Sequence, residues 1–306
     1  MTWTTTPTKL PVWQVTDDQP LELRGQAVLV IGCGALGSAL AAAFQALGAE
    51  LVLWSRRSEQ ALSLAKAIGA RAGVELAVEL AQARLVCIAI SDDALLGFAE
   101  SLGQGPAGSG FVFHTNGSLG HGVLAPLASL GWQTGRLHPL RAFPQASAEA
   151  PRPVAGTWFA SDSGEAERGL CSALVRALGG EELRLKPAGS LTLHSSASLL
   201  SGGLVALFDQ ALELASGACE QPAAARGALL ALLGSTLSNL VERSPGEALS
   251  GPIARGASRL VEAQLEGLDG DARELYRLLG RRMLSLSLER KPMDPESLRR
   301  LRELLG

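Results

Sequence analysis

Gln26-Ala27-Val28-Leu29-Val30-Ile31-Gly32-Cys33-Gly34-Ala35-Leu36-Gly37 begins with an apolar run rich in Val, Leu and Ile and ends in a glycine cluster. The run reads as a buried strand and the cluster as a turn. A helical pattern follows from Ser38 to Leu47, stopped by Gly48. Residues 50–54, ELVLW, supply a second buried strand, and Ser58 is placed to cap a helix reaching about Ile68. Residues 84–90, RLVCIAI, read as another central strand. Ser91, Asp92 and Asp93 stand at the start of the helix after it, where side-chain oxygens and acidic charge suit free N–H groups. Residues 110–115, GFVFHT, form a further strand; 132–137 and 154–160 are weaker ones. Strands alternating with helices indicate βαβ units, a mainly parallel sheet and an α/β doubly wound fold.

The pattern changes after about Ser161. Residues 163–178 read as one helix and 181–186 as a short strand, with Pro187 and Gly189 as punctuation. Beyond 190 helical periodicity dominates, over roughly 190–217, 222–243, 257–267, 271–289 and 295–305. Pro222 and the Asp294-Pro295-Glu296 run suit helix starts, because a first-turn proline forfeits no internal bond. The expected organisation is an N-terminal extension over 1–24, a Rossmann-type domain over 25–161 and an all-α domain over 162–306. The long Leu- and Ala-rich helices exceed what one small domain buries, which suggests a homodimer through them.

Composition narrows the function. The chain has 306 residues, 47% hydrophobic and 19% charged, so it can build large cores and is not wholly disordered. A net charge of −3 with 4% aromatic residues argues against nucleic acid as a partner. Cys33, Cys87, Cys171 and Cys219 are scattered with no C-x-x-C pair, so buried reduced thiols are expected rather than disulfides or a metal site. Residues 1–19 lack a basic segment followed by an apolar one, so they do not read as a secretory signal. No apolar stretch reaches about 18 residues without a polar break, so no membrane span is expected and a cytoplasmic location follows.

A lone G-x-G-x-x-G is a weak signal, but here a strand precedes it, a helix follows, and a second strand comes about 20 residues on. Gly32 allows the tight turn, Gly34 lets the backbone approach a pyrophosphate, and Gly37 lets helix and strand pack closely. The pyrophosphate would then meet the free N–H groups of a helix N-terminus, with Cys33, Ala35 and Leu36 completing the turn. The end of the second strand selects the cofactor. A carboxylate there would hold ribose hydroxyls and repel a 2′-phosphate. The sequence has Ser55-Arg56-Arg57 instead, and paired guanidinium donors suit a phosphate dianion. NADP(H) is therefore expected over NAD(H), with a solvated arginine loop as the alternative. Ser91, His114 and Asn116, just after or at strand ends, complete the expected cofactor contacts.

There are four histidines. His114 ends a strand, where ligand crevices open in such sheets. His138 lies in a His138-Pro139-Leu140 run, and His121 sits between glycines. His114 and His138 read either as ligand contacts or as hydrogen-bonding braces of the crevice. His194, Ser198 and Ser201 share one polar face of a helix at spacings i, i+4 and i+7. His194 is the candidate proton donor, because imidazole titrates near neutral pH, or else a histidine satisfied within a domain contact. Ser201 is grouped with it, and His138 and Ser198 are candidate substrate contacts. Arg255, in the turn-rich Gly251-Pro252-Ile253-Ala254-Arg255-Gly256, is either a holder of a substrate carboxylate or an exposed arginine at a helix corner.

Together these stretches resemble the Rossmann-like oxidoreductases with a helical C-terminal domain of unknown function. Those are relatives of pyrroline-5-carboxylate reductase, the deazaflavin-dependent NADP oxidoreductases and, more distantly, prephenate dehydrogenase and the β-hydroxyacid dehydrogenases. The markers are Gly32 to Gly37, Ile90-Ser91-Asp92-Asp93-Ala94, His114-Thr115-Asn116-Gly117-Ser118, His138-Pro139-Leu140, His194-Ser195-Ser196-Ala197 and the 251–256 run. The resemblance covers about 26–288 and implies an NADP-linked fold, a dimer interlocked through the helical domain, and a cleft between domains. Two positions depart from it. Gly202 stands where relatives often have Asn, and Ala257 where they often have an acidic residue. The first expectation is hydride transfer to or from a small C=O or C=N substrate carrying a carboxylate. The absence of lysine from 190–290 speaks against the Lys-based proton transfer of the β-hydroxyacid dehydrogenases. The two departures keep open a catalytically silent NADP-binding sensor or scaffold. The His138-Pro139-Leu140 likeness keeps open a prephenate-type dehydrogenase.

Overall fold

The structure, a computed structural model, describes residues 19–143 and 153–306. The expectations on the N-terminal segment therefore fall, over 1–18, outside the described residues. The chain divides into two compact units, one ending at Ser201 and the other running Gly202–Gly306.

The first unit holds an eight-stranded sheet. In chain order its elements are β1 (Ala27–Ile31), α1 (Ala35–Ala46), β2 (Glu50–Trp54), α2 (Ser58–Ile68), β3 (Arg71–Ala72), α3 (Leu76–Gln82), β4 (Leu85–Ile88), α4 (Asp92–Leu102), β5 (Phe111–His114), α5 (Ala125–Ala128), β6 (Gln133–Pro139), β7 (Trp158–Ser163), α6 (Arg168–Ala177), β8 (Glu181–Arg184) and α7 (Gly189–Leu200). A 3-10 turn, His121–Leu124, precedes α5. The strand order is β3-β2-β1-β4-β5-β6-β7-β8. Strands β3 through β6 pair in parallel, β7 runs antiparallel to β6, and β8 is parallel to β7.

Period-2 alternation builds a core on each face. Val28 and Val30 join one cluster with Phe44, Leu53 and Leu174; Leu29 and Ile31 join another with Leu95, Val112 and Leu127. Strand order reverses between β1 and β4, so a crevice opens beyond their carboxyl ends.

The second unit is helical: α8 (Gly202–Ala218), α9 (Pro222–Glu242), α10 (Pro245–Ala248), α11 (Ser258–Glu266), α12 (Gly270–Arg290) and α13 (Pro295–Leu305). Its core gathers Ile253, Val261, Leu265, Leu284, Leu301 and Leu305. Asp294 caps α13 by accepting the Ser297 N–H at 2.9 Å, as the Asp-Pro-Glu run suggests.

The contact division falls at Ser201, and β7, α6 and β8 continue the sheet past the boundary expected at 161/162. Other expectations are corrected. The helix expected over 190–217 is interrupted at Ser201, where Ser201-Gly202-Gly203 weakens helical propensity. Arg57, not Ser58, occupies the N-cap of α2. The helix expected over 163–178 starts only at Arg168. Cys87 and Cys171 are buried free thiols, whereas Cys33 is half-buried and Cys219 exposed. Two helical runs, Gly189–Ala218 and Pro222–Glu242, are by length and composition apolar enough to cross a membrane, with mean hydropathies of 1.4 and 1.3. The expectation of no such stretch missed them because isolated polar residues such as Asp209 lower the average only slightly.

Candidate functional site

The glycine turn is fixed by its neighbours. Gly32 adopts φ +104°, and a Cβ there would collide with the Ala89 carbonyl. A Cβ on Gly37 would collide with the Gly32 carbonyl. Both glycines are thus required by packing. Gly34 differs: a Cβ there would project into open space. Gly34 is also the N-cap of α1 and offers no side chain, so the first N–H groups of α1 lack a side-chain cap. A turn held open at Gly34, before an uncapped helix N-terminus, fits a pyrophosphate.

A cleft of about 910 Å³ lies over this turn. Of the residues expected to touch a cofactor, Gly32, Cys33, Gly34, Ser55, Arg56, Arg57 and Ser91 line it. Ala35, Leu36 and Gly37 form the first turn of α1 behind it. Arg56 and Arg57 are exposed and form no ion pair among the described residues. Ser55 Oγ accepts the Arg57 N–H at 3.3 Å, which shapes the turn. Trp54 and Phe98, stacked with ring centres 6.3 Å apart, form an aromatic wall of the same cleft. Burial pushes the Cys33 thiol up to about 11, so it stays protonated near neutral pH.

His114 and Asn116 lie beneath the crevice rather than on its wall. His114 is fully buried. Its Nδ1 accepts the Asn116 N–H at 3.2 Å, which leaves Nε2 to donate to the Gly120 carbonyl at 3.2 Å. Asn116 Oδ1 accepts the Ser118 and Leu119 N–H groups at 2.8 and 2.7 Å, and its Nδ2 donates to Asp92 at 2.6 Å. Both side chains are thus committed to bracing the loop after β5. Desolvation pulls the His114 imidazole from 6.5 down to about 3.

That shift has a consequence for stability. A histidine whose folded value is depressed contributes stability above its unfolded value and loses it as pH falls below about 6.5 toward 3. The unfolding free energy is expected to fall by at most about 1.4 kcal/mol per pH unit from this group over that window. Urea titrations of wild type and His114→Gln between pH 7 and 4 measure it. The variant is expected to be less stable at pH 7 and to show the shallower acid loss; parallel pH profiles overturn the assignment.

His138 and His194 come together. His138 Nδ1 donates to the Thr115 carbonyl at 2.8 Å, leaving Nε2 as the bare nitrogen of the neutral ring. Burial, outweighing the Thr115 hydrogen bond, lowers its basicity. The His194 ring meets it edge-on, centres 5.7 Å apart. Both rings close over Gly117, where a Cβ would collide with the His194 ring and come within 3.0 Å of His138 Cε1. Ser198 and Ser201 are exposed on and just after α7. Arg255 belongs to the second unit, where it lines a hollow of about 440 Å³ with Arg290, Lys291 and Asp294.

Three contributors were given no site role from sequence, although Asp92 and Gly117 stand in the marker stretches. Asp92 anchors Asn116, Gly117 seats His194, and the buried Arg136 binds the loop carbonyls. Gly117, between an Asn and a Ser after a strand, carried a turn signal; Arg136 carried none, because charged residues are seldom buried in central strands.

Comparison with known proteins agrees with this architecture. Residues 15–139 match the Rossmann-like domain family, and residues 157–283 match a domain of unknown function, DUF2520. No curated protein is matched in sequence. Among solved structures, a Bacteroides fragilis protein provisionally described as an NADP oxidoreductase superposes with a TM-score of 0.67 at 22% identity, over 85% of this chain and 98% of that one. A reductive aminase from Aspergillus terreus, solved with NADPH and ethyl-5-oxohexanoate, gives 0.57 at 18% identity over 92% of each chain. The 1-pyrroline-5-carboxylate reductase of Streptococcus pyogenes gives 0.57 at 13% identity, over 91% of this chain and 97% of that one. At these identities the likeness is one of fold.

Proposed function

We infer, for a chain that joins a Rossmann-like domain to a DUF2520 domain, that it is an NADP(H)-dependent oxidoreductase. Its substrate is a small C=O or C=N compound carrying a carboxylate. The observation that carries the reading is that the open cradle at Gly34 and the exposed Arg56–Arg57 couple line one cleft. When bound, the nicotinamide supplies or accepts the hydride. Gly34 and the start of α1 would hold the pyrophosphate, and Ser55, Arg56 and Arg57 the 2′-phosphate; Trp54 and Phe98 line the same cleft. His114 and Asn116 act on the cofactor side indirectly, by fixing the loop after β5. His194 delivers the proton, with Ser201, seven residues on at the end of α7, grouped with it, and His138 and Ser198 orient the substrate. Arg255 binds its carboxylate.

The reading is tested by calorimetry with NADPH and NADH, followed by NADPH consumption against imines, 2-oxo acids, aldehydes and, in reverse, prephenate with NADP⁺. Tight NADPH binding with turnover of an imine or carbonyl compound is the expected result. Binding without any turnover would instead favour the silent sensor, which the bare Gly202 and Ala257 positions motivate. Failure to bind either nucleotide would remove the proposal.

The same reading makes the chain a cytoplasmic homodimer. Helix α8 buries no residue and α9 only Ala225, while Val205, Leu232 and Val241 are 69%, 62% and 87% exposed. A second copy covering these helices would remove that apolar surface from water. Leu232→Glu combined with Val241→Glu is expected to halve the mass seen by light scattering. A wild-type chain that is already monomeric at micromolar concentration would contradict the assignment.

A further inference from the structure

Beneath the crevice lies a cation that the proposed function does not use. Arg136 is fully buried on β6, in register with His114 of β5 and Asp162 of β7. Its Nε donates to the Asn116 carbonyl at 2.8 Å and its Nη2 to the Gly117 carbonyl at 2.7 Å. Two residues on, and on the same strand face, His138 Nδ1 holds the Thr115 carbonyl. Three consecutive loop carbonyls are therefore gripped from β6. Arg136 Nη1 is buried without a hydrogen-bond partner, and the guanidinium forms no ion pair among the described residues. Burying a cation is costly unless its donors are engaged, and here two of them are spent on loop carbonyls.

We propose that Arg136 is a positioning residue whose guanidinium fork sets the 115–118 loop, so that Gly117 seats the His194 imidazole and presents its own N–H to the reacting ligand. The inference rests on the reading of His194 as proton donor and deepens it.

Peptide geometry supports it. Across a trans peptide the Asn116 carbonyl and the Gly117 N–H point in opposite directions. With that carbonyl held by Arg136, the N–H faces away from the guanidinium. The other loop amides are engaged: Thr115 donates to the Ile88 carbonyl, Asn116 to His114, and Ser118 and Leu119 to the Asn116 side chain. The Gly117 N–H makes no hydrogen bond among the described residues. Hydrogen bonding at the carbonyl polarises the same amide and strengthens its N–H as a donor. A lysine at 136 would keep the charge but lose the planar fork that spans two carbonyls. The charged and titratable groups around the loop are Asp92 from α4, His114 from β5, Asp162 from β7, His121 from the 3-10 turn and His194 from α7. The Arg136 charge is one of the influences that hold His138 neutral, after burial.

The test uses the full chain with Arg136→Met and Arg136→Lys, read by imidazole ¹⁵N titration without cofactor. Arg136→Met is expected to raise the His138 midpoint by about half a pH unit or more and to displace the His194 resonances. Arg136→Lys is expected to leave the His138 midpoint near wild type and still displace His194. Undisturbed His194 resonances in both, even with a lowered melting temperature, would reduce Arg136 to a structural part and overturn the proposal. Should Arg136→Met not fold, Arg136→Lys reads the same displacement. Amide exchange in the unaltered chain is an independent arm: Gly117 should exchange faster than Asn116, Ser118 and Leu119, and equal protection overturns the free donor. NADPH affinity is expected to stay within about threefold in both variants while kcat on the best substrate of the panel falls about tenfold or more. If the wild type itself binds no NADPH, the oxidoreductase reading fails, and the imidazole and exchange measurements still decide the role of Arg136.

Discussion

His194→Gln is expected to lower turnover of imine or carbonyl substrates by about 10²- to 10⁴-fold, the range lost when a positioned proton donor is removed. Glutamine keeps comparable bulk and a donor N–H, so the seat over Gly117 and against His138 is preserved. What it loses is a proton that can be delivered near neutral pH. NADPH affinity should move by no more than about twofold, because the residues proposed to hold its phosphates lie at the turn after β1 and the end of β2. Steady-state kinetics paired with calorimetry separate the two quantities. An unchanged kcat would take His194 out of the chemistry and shift attention to His138 on β6, whose bare Nε2 is the alternative beside it.

Arg56→Ala with Arg57→Ala is expected to weaken NADPH by about 10²-fold and to leave NADH nearly unaffected. Both arginines are exposed and form no ion pair among the described residues, so their attraction for a phosphate dianion is partly screened. The wild-type preference for NADPH should therefore shrink as salt rises, and the variant should show a flatter salt dependence. Equal losses for both nucleotides would mean that the pair grips the shared diphosphate rather than the 2′-phosphate. No loss at all would return the arginines to a solvated loop.

The fold was legible wherever a short-range rule decided it. The apolar run before Gly32, the glycine spacing and the alternation of strands with helices follow from period and turn chemistry, and β1, α1, β2 and β4 form accordingly. Elements too short to show a period were not legible, among them β3 and α5. The boundary at Ser201 was hidden for another reason. A strand that turns back, β7, carries no local mark of its direction, so the chain beyond 161 looked like a new domain while still adding to the sheet.

The candidate site divides in the same way. Backbone demands could be read directly: Gly32 and Gly37 are required by packing, and Gly34 faces open space. His114 and Asn116 could be found but not assigned, because whether a polar side chain braces a loop or meets a ligand depends on partners distant in sequence. Arg136 was invisible because its partners come from another loop and its burial runs against the usual placement of charge.

The helix that bears His194 is built into the same compact body as the strands, ahead of the Ser201 break. The edge-on imidazole pair is therefore a property of the first unit alone: both rings, the glycine beneath them and the arginine that grips the loop carbonyls all come from chain ahead of the Ser201 break.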